Sequence, residues 1–118
     1  MSASQGAGAT ANESQTVPGQ GTIISGIFYN HVQVRADGHI FTGNGGGLMT
    51  PGAGGFWGDL YTNDLPKLLH DTVSYEVNAT GVYTNINFFD SSSHLLGHLQ
   101  AGAVSTVTGI GGGTGSWS

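Results

Sequence analysis

At 118 residues the chain is long enough for one domain, one that buries about two thirds of its unfolded surface. Its seven acids face only Arg35 and Lys67, a net charge of −5, so it lacks both the cationic footprint of a nucleic-acid binder and a basic patch for anionic lipid. With no cysteine there are no disulfides, thiolate metal sites or cysteine nucleophiles, and no apolar run approaches the roughly 20 residues of a spanning helix.

Residues 1–19 are Gly, Ala, Ser, Gln and Thr with little that could form a core, and read as a flexible tail; residues 20–118 read as the folded domain. Met1 is followed by small and polar residues rather than a basic segment and an apolar core, so the chain as given carries no signal peptide. Order is expected from Thr22. Ile24, Gly26, Phe28, Val32 and Val34 then share one face, with Ser25, His31, Gln33 and Arg35 on the other and a bend at Tyr29-Asn30. Asp37-Gly38 is a strong hairpin signal that sets Val34 against Phe41 and Arg35 against Ile40.

Residues 43–58 and 109–115 are dense in glycine, with Leu48, Met49, Phe56 and Trp57 inserted in the first run and Ile110 in the second. Glycine weakens strands, so 22 of them in a β-rich chain call for bulges, sharp coiling and close backbone approach, all of which a small closed barrel needs. Between the two runs, residues 62–71 predict the one helix. Asn63 or Asp64 is the N-cap, Pro66 sits in the first turn, and Leu65, Leu68 and Leu69 form a buried stripe that covers part of the sheet.

Residues 72–101 read as a three-stranded meander. With Thr80-Gly81 as a two-residue turn, Ala79 faces Val82, Val77 faces Thr84, Tyr75 faces Ile86 and Val73 faces Phe88. With residues 90–93 as a four-residue loop, Phe88 lies opposite Leu95, Ile86 opposite Gly97, Thr84 opposite Leu99 and Val82 opposite Ala101. One face is then apolar throughout. The other carries Glu76, Asn85, Asn87, His94, His98 and Gln100.

No catalytic, metal or cofactor site emerges, and ligand-binding residues stay unassigned. His94 and His98 lie on a strand, where four residues span roughly 13 Å, too far to share an ion; His31, His39 and His70 have no ligand spacing. The glycine runs lack the Lys-Ser/Thr and helix of a phosphate loop. Ser91-Ser92-Ser93-His94 places hydroxyls beside an imidazole, but without a nucleophile elbow. Asn78-Ala79-Thr80 and Asn12-Glu13-Ser14 match glycosylation sequons, which occur often by chance. Trp57 and Trp117 are expected in the core or as end-plugs of the sheet.

Several motifs carry a family likeness: Pro51-Gly52-Ala53-Gly54 with Trp57-Gly58, residues 85–92 (NINFFDSS), Leu96-Gly97-His98, residues 100–105 (QAGAVS), and Gly111-Gly112-Gly113 before Gly115-Ser116-Trp117. From about residue 25 to 118 the chain resembles the virulence-associated (Vap) proteins of the pathogenic actinobacterium Rhodococcus. The resemblance implies an all-β fold, a small closed antiparallel barrel of about eight strands with one short α-helix, filled by its own side chains. It also implies secretion with the signal peptide removed, no enzymatic activity and a role in survival inside host macrophages. The expectation is a non-enzymatic, monomeric virulence protein without cofactors, touching a host endolysosomal or phagosomal membrane or protein, with His94, His98 and Phe89 on its outward face. The alternative is a binding module for a lipid, sugar or small amphiphile in the barrel mouth or on a surface patch.

Overall fold

The computed structural model describes residues 15–118. Eight strands run β1 Gln15–Ser25, β2 Asn30–Ala36, β3 His39–Met49, β4 Gly52–Thr62, β5 Ser74–Thr80, β6 Tyr83–Phe89, β7 Leu95–Ser105 and β8 Gly109–Trp117, with α1 Leu65–Asp71 between β4 and β5. They close into an antiparallel barrel in the order β1-β2-β3-β8-β5-β6-β7-β4, with β4 returning to β1. This is the expected closed barrel with one short helix.

The lumen is filled by alternation. Ile23, Val32, Val34, Phe41, Phe56, Leu60, Val77, Ile86, Phe88 and Leu99 are all fully buried. Phe41 meets Tyr75 and Phe88 edge-on, at centroid distances of 5.6 and 5.0 Å. Trp117 closes one end of this cluster, 5.4 Å from Phe88. α1 covers the same end: the Asp64 carboxylate accepts from the Lys67 N–H at 3.1 Å, Leu65 and Leu68 are buried, and Leu69 is partly so. The helix rests on a bare strand, since a Cβ at Gly97 would lie 2.6 Å from Leu68 Cδ1.

The two glycine runs pair with each other. Gly43, Gly45 and Gly47 of β3 lie opposite Gly115, Gly113 and Gly111 of β8. A Cβ at Gly45 would lie 1.8 Å from the Gly112 carbonyl oxygen, and one at Gly43 would lie 2.5 Å from Tyr75 Cε1. Missing side chains therefore let the barrel close tightly under the aromatic filling.

Several local expectations change. β1 opens at Gln15, inside the stretch expected to be a tail, because backbone pairing with β2 and β4 needs no large side chains. Gln15 Oε1 also accepts from the Leu65 N–H at 2.8 Å, tying the strand to the helix. The remainder of that expected tail, with the Asn12 sequon, lies outside the described residues.

The run expected to bend at Tyr29-Asn30 is instead a hairpin that turns earlier. Residues 26–29 turn, with the Gly26 N–H donating to the Tyr29 carbonyl at 2.8 Å. Ser25 then points inward, while Ile24 and Phe28, expected inside, face out. The Asp37-Gly38 turn keeps the expected register, with φ of 52° and 77°.

The β5–β6 loop is Gly81-Val82, not Thr80-Gly81. Thr80 pairs with Tyr83, Val77 with Ile86 and Tyr75 with Phe88. A two-residue slip keeps every face, so the apolar side survives, and the β-branched Thr80 stays extended. Val73 and Val82, now beyond the paired segment, are exposed.

A bulge beside Phe89 shifts the β6–β7 register likewise, so Phe88 meets Gly97 and Ile86 meets Leu99. Leu95 therefore faces solvent, and Leu96 packs against the core in its place.

Candidate functional site

The residues with chemical potential are dispersed. Among the described residues no three His, Asp or Glu side chains converge as a metal site. His31 Nδ1 meets Asn44 Oδ1 at 2.8 Å, His39 Nδ1 the Ser118 carbonyl at 3.2 Å and His70 Nδ1 the Asp71 carboxylate at 2.7 Å. His94 lies in the β6–β7 loop rather than on a strand, and its Nδ1 faces Asp90 Oδ2 at 3.3 Å, not a serine hydroxyl.

Asp90 organises that loop, accepting from the backbone N–H groups of His94 and Ser92 at 2.9 Å each. The His94 N–H bond, more than the others, holds its carboxyl below the usual range. The glycine runs are strands whose backbone groups pair with each other, not phosphate loops. Asn78 donates its amide to Asn85 Oδ1 at 3.0 Å. Tyr75 is the other perturbed group: burial, then Tyr29, push it up to about 12, and its hydroxyl donates to Asn30 Oδ1.

The outer surface differs between the two ends of the barrel. The connections at one end are residues 37–38, α1 with its flanks, and residues 90–94. They carry Asp37, Asp64, Lys67, His70, Asp71, Asp90 and His94. The connections at the other end are residues 26–29, 50–51, 81–82 and 106–108, and none holds an Asp, Glu, Lys, Arg or His. There Phe28 is 89%, Ile27 69% and Val82 78% exposed. The Phe28 carbonyl lies over Gly46, 3.2 Å from where a Cβ would stand. Two residues further along the outer face of β3 is Leu48, 90% exposed, with Ile110 across the ladder, also exposed. The sequence pattern hides this patch because residues 22–34 read as one amphipathic run bent at Tyr29-Asn30; Gly26 ahead of three consecutive apolar residues is the signal of a turn.

Trp57, expected in the core or as a plug, is 58% exposed. Phe56 takes the inward position, so alternation sends its neighbour outward. Trp57 forms one wall of a surface groove of about 550 Å³ over β1, with Arg35 and Gly38 on the far side and Pro18 and Gln20 along the floor.

The family model described as Rhodococcus equi virulence-associated protein matches residues 2–118. The chain belongs to this Vap family. The barrel is similar to that of virulence-associated protein VapB from the intracellular pathogen Rhodococcus equi, at 53% identity and a TM-score of 0.82, over 88% of this chain and 96% of that one. It is similar also to VapD of the same organism, at 44% identity and a TM-score of 0.85, over 88% of this chain and 97% of that one. No curated protein sequence matches it. The Vap relationship carries the fold and the link to virulence of an intracellular pathogen; no described residue acquires a role from it.

Proposed function

We propose that this Vap protein is secreted and acts in the host phagosomal or endolysosomal compartment as a monomer without catalysis, by resting its charge-free end on a lipid bilayer. The observation that carries this reading is the segregation of exposed Ile27, Phe28, Leu48 and Ile110 to the end whose loops bear no charged side chain. A contiguous apolar patch on a soluble fold marks a contact surface. Transferring a Phe, Leu or Ile out of water contributes about 1.5–3 kcal/mol each, so a few of them give reversible association of the order of one acyl anchor. A filled lumen supports surface action over carriage of a ligand inside the barrel.

The mechanism is partition, not recognition of charge. With no Lys or Arg in the contacting loops, affinity should be similar on neutral phosphatidylcholine vesicles and on vesicles containing anionic lipid, and insensitive to salt. Vesicle flotation at pH 5 and pH 7 tests this. Association with neutral vesicles is expected; none at either pH would end the membrane reading, and binding only to anionic vesicles would end the partition mechanism.

A further inference from the structure

The flank built from β4, β7, β6 and β5 carries a different surface. Strand pairing places Trp57, Gly102 and Tyr83 in one outward row. A Cβ at Gly102 meets nothing within 4 Å, so the floor between the two aromatic residues is open. Strands lie about 4.8 Å apart, which sets Trp57 and Tyr83 about 10 Å from each other across that floor. Trp57 is 58% exposed and Tyr83 41%.

The next outward row toward the helix end is Asp59, Gln100, Asn85 and Asn78; the one after is Tyr61, His98, Asn87 and Glu76. These side chains hold one another in place. Asn78 Nδ2 donates to Asn85 Oδ1 at 3.0 Å, Asn87 Nδ2 to Glu76 Oε1 at 3.0 Å, and Gln100 Nε2 lies 2.9 Å from His98 Nδ1. The His98 ring stacks on Tyr61 at 5.3 Å. Asparagine is depleted in strands, so three of them on adjacent outward-facing, half-buried strand positions run against local preference. Local preference is overridden most often where a surface has a task.

We propose that this flank is a binding site for neutral glycans, with one pyranose ring seated beside Trp57 over Gly102 and the chain running toward the amide rows. A pyranose has an apolar C–H face that covers an indole, and a rim of hydroxyls that both donate and accept. Carboxamides do both as well, and carboxylates accept, so Gln100 and Asp59 match that rim, while Asn85 is held by Asn78, Asn87 and the Leu99 carbonyl. Between Trp57 and Glu76 the field has Asp59 and Glu76 but no Lys or Arg, the nearest being Arg35 two strands beyond Trp57 in its row. This disfavours sulfated, sialylated or phosphorylated ligands over the amide rows. The amide rows are too polar for acyl chains, so this site is distinct from the charge-free end and does not depend on it.

Binding of the full chain to an array of neutral glucosyl, mannosyl, galactosyl and N-acetylglucosaminyl glycans, beside sulfated and sialylated ones, tests the proposal. Hits are then titrated by fluorescence in a Trp117→Phe background, where Trp57 is the remaining indole. The expected result is retention on neutral glycans and a change in Trp57 emission. Trp57→Ala and Gly102→Val should each weaken binding about tenfold or more, the loss of one stacking contact or of the floor. Gly102→Val adds a side chain where there is open space, so the fold stands and only the seat is filled. Because it also adds exposed apolar surface, non-specific adhesion would rise rather than fall. A Phe28→Ser variant should bind glycans as the wild type does. No retention on neutral glycans, retention only on acidic ones, or undiminished binding by both Trp57→Ala and Gly102→Val would overturn the proposal.

Discussion

The two ends of the barrel are built on opposite principles. At the helix end the apolar residues of the lid turn inward: Leu65 and Leu68 are buried, Leu68 over Gly97 of β7. Although Leu95 and Val73 stay exposed, the surrounding loops carry Asp64, Asp71 and Asp90. At the other end no described helix covers the mouth; Val107 of the 106–108 connection is buried in it, while Phe28, Ile27 and Leu48 remain in solvent. Both ends solve the same problem, because the mouth of a closed barrel has to be covered somehow. One is covered by a helix, whose apolar residues contribute to stability. The other is closed from within by Val107, and the apolar residues outside it are free to contribute to binding.

That contrast predicts which substitutions unfold the protein and which only blunt it. Leu68→Ala at the capped end should be the most damaging, lowering stability by about 2–5 kcal/mol through lost burial and a cavity, measured by chemical denaturation. Phe28→Ser with Leu48→Ser at the charge-free end should leave the denaturation midpoint unchanged while reducing vesicle association about tenfold or more. If that double variant is instead destabilised, those residues are packing rather than contact residues.

The smallest effects separate the ends by pH. Near the charge-free end, Asn30 Nδ2 donates to the Gly46 carbonyl at 2.9 Å and its Oδ1 accepts from Tyr75. The Tyr75 pKa is raised from 10.0 to about 12 on folding, so its contribution is full below pH 10 and lost as pH rises toward 12. Tyr75→Phe should cost about 1 kcal/mol at pH 7 and flatten that alkaline loss. At the helix end the sign reverses. The Asp90 carboxyl is depressed below 3.8, so its contribution is present above that value and disappears as pH falls through the depressed pKa; Asp90→Asn should remove this acid limb in thermal melts.

How much of this was legible follows from which forces are local. The Asp37-Gly38 hairpin was readable to the residue because Asp-Gly between two alternating apolar runs accepts positive φ at both positions. The helix was readable from Asp64, Pro66 and the leucine spacing. The β5–β6 and β6–β7 hairpins came out with correct faces but registers two residues off, since alternation is blind to even slips and only the bulge beside Phe89 breaks the tie. For the candidate surfaces, Asn85, Asn87, His98 and Gln100 were legible as one wet face. Trp57 and Phe28 were placed inside because a large apolar residue is inside by default, and a neighbour with a better claim to the core overrules that default only once the strand is set.

The sequence by itself determined a glycine-enabled all-β chain, one capped helix, and the inward and outward sides of most strands, because period, turn chemistry and capping act within a few residues. Only the tertiary structure decided that the two glycine runs zip to each other and that Gln15 begins a strand. It alone placed Trp57, Gly102 and Tyr83 side by side and gathered the uncharged loops at one mouth. Those facts depend on which strands become neighbours when the ribbon closes, and that choice is made by the sum of the packing in the lumen.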